Sequence, residues 1–256
     1  LKKVEIPLPP LEIQKKIVKK IEELFAKIVQ AQSLRETATW DSDNLVPATL
    51  SKIFEEGRSK GWKKKILSEV VKIIGGGTPS KNKFSYYKGD IPWATVRDLK
   101  NDYVEDTEFK ISEQAVKESS TNIIPANNVI LVTRVGLGKM SIITRDTAIN
   151  QDLKALIPRD ERSLDKMFLF WWLKTQMKFI QSQGRGATVM GVRLELINNL
   201  TISLPPIAEQ KKIVARMDAL TQKVRELQAL QTQTASDLTA LKQSILHQAF
   251  QGELIN

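Results

Sequence analysis

The chain has 256 residues, 39 Lys and Arg against 29 Asp and Glu for a net charge of +10, and 41% hydrophobic residues, enough to bury the core of one large domain or two modest ones. The lack of cysteine excludes a disulfide framework and thiolate metal sites, and His247, the single histidine, leaves no cluster for zinc. No apolar run reaches the roughly 20 residues that span a bilayer and Leu1–Glu5 lacks a signal-peptide core, so a cytoplasmic protein is expected, and a pI near 9.6 points to a polyanionic partner, nucleic acid or an acidic membrane surface.

The first element opens on Leu8-Pro9-Pro10, with Gln14-Lys15-Lys16-Ile17-Val18 behind it. Proline presets the first helical dihedral and stops a preceding strand, so the pair reads as helix punctuation. Ile17, Ile21, Leu24 and Ile28 then alternate at spacings of four and three, the seam of a coiled coil. The stripe fades at Arg35. Asp41-Ser42-Asp43-Asn44 are capping residues and Pro47 suits only a first turn, so this arm is expected to break there into two helices.

From about Gly61 the pattern turns to short strands and turns. Strands are predicted at Val70–Ile74, Asn128–Thr133, Met140–Thr144 and Leu153–Ile157, with helices at Ser112–Glu118 and Leu164–Gln181, an α+β domain. Trp171 and Trp172 lie in the apolar run of the second helix and read as core. Gly75-Gly76-Gly77-Thr78-Pro79-Ser80 lacks the Lys-Ser/Thr pair of a nucleotide loop; it reads as a strand-ending turn, with a backbone approach to a DNA phosphate as the competing reading. Candidate DNA contacts are the cations and polar groups of the turns: Lys81, Lys83 and Tyr86, then Arg97, then Arg134 and Lys139. The glycine-flanked loop carrying Arg185 and Thr188, beside Arg193, suits forked recognition of guanine or phosphate, or is an ordinary solvated loop.

The opening motif returns at the far end as Leu204-Pro205-Pro206 with Gln210-Lys211-Lys212-Ile213-Val214, and Leu45, Leu50 and Phe54 recur as Leu241, Leu246 and Phe250. Each copy therefore covers about fifty residues. In the second, Ile213, Met217, Leu220, Val224 and Leu227 continue the rhythm, which resumes at Leu238, Leu241 and Ile245 after a polar patch at Gln231 and Thr234. Two like stripes are economically buried against each other as an antiparallel pair; the alternative is that both cover the middle domain.

Catalytic motifs are missing: no histidine in the middle segment, no GxSxG, no Walker lysine, no Asn-Pro-Pro-aromatic tetrad, and an Asp90, Asp98, Asp102, Glu105 series that fits no ligand spacing. The residues alone leave three classes open: a DNA-binding subunit, a coiled-coil interaction scaffold without DNA readout, and an enzyme with an unrecognised site.

Taken together, LPPLEIQKKIV, LPPIAEQKKIV, the closing LKQSILHQAFQGEL, GGTPS, the IPW at Ile91 to Trp93 and the INQDLKAL from Ile149 to Leu156 are similar, in that order, to the specificity subunit of type I restriction-modification enzymes. The resemblance covers nearly the whole chain and implies conserved helical regions at 1–58 and 204–256 around one target recognition domain at 59–203. It implies helices that form an antiparallel coiled coil, fixing the spacing of two half-sites in double-stranded DNA and docking methylation subunits. It also implies no catalysis and no cofactor in this subunit, since methylation subunits bring S-adenosylmethionine and a restriction subunit brings ATP-driven cleavage. Leu1–Pro7 resemble the last strand of a preceding recognition domain, so the chain is expected to be a C-terminal portion of a longer subunit or a half-subunit that forms a homodimer.

Overall fold

The computed structural model describes residues 8–184 and 191–255. In chain order the elements are α1 (Leu11–Ser59), β1 (Lys63–Ile66), α2 (Leu67–Val70), β2 (Val71–Gly75), a 3-10 turn (Phe84–Tyr87), β3 (Ile91–Ala94), β4 (Tyr103–Val104), β5 (Phe109–Ile111), α3 (Glu113–Lys117), β6 (Asn122–Ile124), β7 (Val129–Val132), β8 (Met140–Ile143), β9 (Thr147–Ile149), β10 (Leu153–Pro158), α4 (Lys166–Ser182), α5 (Leu194–Asn198), β11 (Thr201–Leu204) and α6 (Ile207–Gln251). They form two compact units, one of the chain through Ala48 with the chain from Asp218, the other Thr49–Met217.

Both Pro-Pro pairs start long helices, and they do so in the same way. The carbonyl of Pro10 accepts the amides of Ile13 and Gln14, that of Pro206 the amides of Glu209 and Gln210. The motif glutamine then turns back on the first proline: Gln14 Nε2 donates to Pro9 O at 2.7 Å and Gln210 Nε2 to Pro205 O at 2.9 Å. Gln210 is fully buried and does more, donating to Ser163 O and accepting the Asp165 amide, both at 2.9 Å. Because truncation would orphan these groups in the interior, Gln210→Ala is expected to cost about 2 to 3 kcal/mol, against about 1 kcal/mol for the half-buried Gln14→Ala. The shift in urea midpoint at constant slope measures both.

Helix α1 runs 49 residues without the expected break, Pro47 included. Pro47 and Asp43, whose carbonyl loses its amide partner, are exposed, so water can take up the freed oxygen. Ser42 before the proline, and Leu50 and Ile53 after it, are buried, so the helix is packed on both sides of Pro47 along its length. The capping-type side chains bond the preceding turn instead of starting a new helix: Ser42 Oγ donates to Thr39 O at 2.9 Å and Asn44 Nδ2 to Trp40 O at 2.7 Å.

Within the first unit the long helices lie antiparallel. Gln228 Nε2 donates to Asp43 Oδ1 at 2.7 Å and Lys242 Nζ to Gln32 Oε1 at 3.3 Å, so the partner falls along α6 as position rises along α1. Ile17, Ile28, Val224 and Ile245 are buried there, and Ile21, Leu24, Leu220 and Leu238 half-buried; Ile213 and Met217, in the second unit, are buried as well. Leu227 and Leu241 are instead 45% and 47% exposed, and Thr234 also faces outward. The second line of the seam is one residue further on, at the half-buried Thr221, Gln228, Ala235 and Lys242, which hydrophobic periodicity cannot find because they are polar or small. Ile245→Ala is accordingly expected to cost about 2 kcal/mol or more, and Leu241→Ala less than about 0.5 kcal/mol. Thermal melts of the two variants side by side separate the two registers.

In the second unit a five-stranded sheet of order β2-β10-β7-β8-β4 and a four-stranded sheet of order β5-β3-β9-β6 supply one core. Ile130, Val132 and Leu153 of the first sheet meet Ala94, Ile124 and Ile149 of the second. All four residues of β7 are buried, as a strand covered on both faces requires, and α4 packs on it. Asp165 caps α4, its Oδ1 accepting the amides of Met167 and Phe168 at 2.8 and 2.9 Å. Trp171 and Trp172 are buried in this helix. On the other side of the four-stranded sheet, Trp93, Ile111 and Ala148 are covered by Tyr86 of the 3-10 turn and Ala115 of α3. Antiparallel β1 and β11 make a separate pair, Lys63 opposite Leu204.

Candidate nucleic-acid interface

Three sequence motifs of the middle segment meet in one knot. Trp93 of Ile-Pro-Trp donates its indole N–H to Gly77 O at 3.2 Å, and Thr121 Oγ1 donates to the same carbonyl at 2.9 Å. The Gly77 amide donates to Ile149 O and the Asn150 amide to Ala94 O, both at 3.0 Å. Thr78 hydrogen-bonds the Gln151 side chain. A Cβ on Gly76 would collide with the carbonyl oxygens of Ile149 and Asn150, so this turn is glycine because backbone lies against backbone. The Gly77 amide is committed to Ile149 and is not available to a phosphate.

Above the knot lies a basin of about 720 Å³. Tyr87 and Trp93 line it edge to face with ring centroids 6.0 Å apart, Phe109 stands 6.4 Å from Trp93, and the Tyr87 hydroxyl is tied to Pro79 O at 2.8 Å. Burial pushes the Tyr87 phenol up from its ordinary value. Lys81 and Arg97 line the same basin, Arg97 72% exposed with its guanidinium 3.3 Å from Glu108. Asp152, also on the wall, pairs with Arg134 at 3.7 Å. Desolvation, and after it the Arg134 charge, holds the ammonium of neighbouring Lys154 below the usual lysine range.

The remaining candidates take different places. Lys83 is turned to Glu118 at 2.9 Å, and the Tyr86 hydroxyl bonds the same carboxylate. These bonds, from Tyr86 first and then Lys83, lower the Glu118 carboxyl to about 2. Tyr86 is a correction: it is 2% exposed because its ring covers the sheet, so it supports the surface and does not face a groove. Lys139 is exposed at the end of the β7–β8 turn, where Gly136 and Gly138 adopt φ of +90° and +94° and Leu137 O accepts from Gln181 Nε2 at 3.0 Å. Arg193 is exposed at the start of α5, and the Val192 amide beside it donates to Thr133 O at 2.9 Å, which brings it next to Arg134. Arg185 and Thr188 lie outside the described residues. Lys81 and Arg97 thus line the basin and Arg134 pairs with Asp152 of its wall, and no cluster of three potential metal ligands exists among the described residues.

Residues 59–234, well over half the chain, match the family model described as the type I restriction modification DNA specificity domain. The chain belongs to this family. It is 31% identical over 242 residues, 88% of its length, to the type I restriction enzyme EcoR124I/EcoR124II specificity subunit of Escherichia coli, of which it spans 58%. It is also 31% identical over 157 residues to the MjaIX specificity subunit of Methanocaldococcus jannaschii, spanning 36% of that relative. Among solved structures, a chain from work on complex assembly and conformational transition of the type I R-M system superposes with a TM-score of 0.81 at 29% identity, covering 97% of this chain and 61% of that one. The HsdS subunit from Thermoanaerobacter tengcongensis gives 0.68 at 28% identity, with 97% and 60% covered. The chain therefore spans about 60% of the length of the Escherichia coli subunit and of these two solved structures.

Within this specificity domain, the reading of cations and polar groups passed over the apolar members of the same face. Phe84 is 81% exposed, Val135 56% and Phe109 38%, and all three line the basin. The available signal was Phe84 itself, an aromatic set directly after Lys83 in a loop too polar to bury it.

Proposed function

We propose that this chain is a non-catalytic reader of double-stranded DNA that recognises one half of a bipartite target within a type I restriction-modification assembly. The observation that carries this reading is the coincidence of the DNA specificity domain with a unit in which Lys81 and Arg97 line a basin and Arg134 pairs with Asp152 on its wall. A net charge of +10 supplies the long-range attraction for a phosphate backbone. On this reading the antiparallel helices set the distance between half-sites and dock methylation subunits, which bring S-adenosylmethionine, while a restriction subunit brings ATP-driven cleavage. The second half-site is read either by another recognition domain of a longer subunit or by a second copy of this chain, and the protein works in the cytoplasm.

Binding of the purified chain to duplex DNA across a salt series tests it. Affinity is expected to fall steeply, each neutralised phosphate adding about 0.9 to the log-log slope, and Lys81→Ala with Arg97→Ala is expected to lower that slope by about 2. A flat salt dependence, unchanged by the double variant, would overturn the reading.

A further inference from the structure

We propose that the basin reads thymine: Phe84 at its rim, with Val135 and Phe109, receives the C5-methyl group of a thymine in the major groove. The inference rests on the DNA-reading function above and names the base that this part of the site recognises.

The 3-10 turn is anchored by its other aromatic side chains. Tyr86 is held by Glu118 and Lys83, Tyr87 by Pro79 and by its edge-to-face contact with Trp93. Phe84, on the same turn, has no such cover at 81% exposure, so a rigid support presents an apolar ring to solvent. Lys81 and Arg97 share the lining and suit phosphates, so charge complementarity selects nucleic acid as the occupant. The walls then select among bases. Guanine and adenine present hydrogen-bonding edges in the major groove and cytosine an amino group beside a bare C5–H, and setting those polar groups against phenylalanine and valine leaves them unpaired. Thymine alone presents a methyl group there. Of the polar wall groups, Asp152 pairs with Arg134, the Asn150 side chain donates to Asp152 at 3.3 Å and Thr95 Oγ1 donates to Asp98 at 3.0 Å; with Lys81 and Arg97 given to phosphates, the apolar residues remain to meet a base.

The test uses the full chain and a consensus duplex enriched by it from a random pool, with each thymine replaced singly by uracil, a change that removes only the methyl group. At one position the dissociation constant is expected to rise about fourfold, the worth of one buried methyl group. Phe84→Ala is expected to bind thymine and uracil duplexes equally at that position, and Phe84→Leu to retain part of the difference. A consensus without thymine, uracil tolerated everywhere, or a thymine preference undiminished in Phe84→Ala would each overturn the proposal while leaving DNA reading intact. Failure to enrich any consensus would remove the underlying function as well.

Discussion

Phe168→Ala is expected to destabilise the protein by about 3 to 5 kcal/mol. Phe168 is fully buried, its ring 5.6 Å from Phe54 and 6.4 Å from Trp62, while Phe54 and Trp62 meet edge to face at 6.0 Å. This aromatic trio joins the last turns of α1 to the first turn of α4. Gly57 shows how tightly it is packed, since a Cβ there would collide with the Trp62 ring. Removing the central ring deletes two aromatic contacts and leaves a cavity that neither neighbour can fill without leaving the other. Phe179 in the same helix is 46% exposed, and Phe179→Ala is expected to cost under about 1 kcal/mol. Chemical unfolding of both variants measures the contrast; equal midpoints would mean that the trio does not hold the unit together.

Gly76→Ala is expected to cost about 3 kcal/mol or more, although it adds a single methyl group. The obstacles are the backbone oxygens of Ile149 and Asn150, which cannot rotate away as a side chain would, and moving them disturbs β9 and the hydrogen bonds that Gly77 and Asn150 make. Gly61 is the useful comparison. Its φ of +72° strains any other residue, but nothing lies within 4 Å of its Cβ position, so Gly61→Ala is expected to cost only about 1 to 2 kcal/mol. Because the knot forms the floor beneath Trp93, Gly76→Ala should weaken DNA binding along with stability, whereas Gly61→Ala should spare binding in the folded fraction.

What could be read from the sequence was whatever apolar side chains announce. The long helices and strands β7, β8 and β10 are continuous or periodic apolar runs, and Met217, Val224 and Ile245 identified one line of the seam. The other line was hidden because Thr221, Gln228 and Lys242 bury their stems without hydrophobic character, which drew the expected register to Leu227 and Leu241. Strand β1, whose four residues Lys63–Ile66 are all exposed, carries no burial pattern to detect, and β4 with two residues is shorter than any period. Pro47 looked like a helix boundary because its local cost is plain in sequence, while the burial that offsets it at Ser42, Leu50 and Ile53 is not. At the candidate interface the cations were legible by type, but Tyr86 was misplaced since its lysine neighbours suggest a surface. Phe84 was overlooked because exposure of an aromatic is a property of the fold.

The account depends most on the basin face selecting a DNA sequence, and enrichment from a random duplex pool by the purified chain tests that directly. A short defined element should emerge, occurring once if a single chain binds and as a split repeat if two copies do. A pool that keeps its starting composition after repeated rounds would contradict the account, however tightly the basic surface retained DNA.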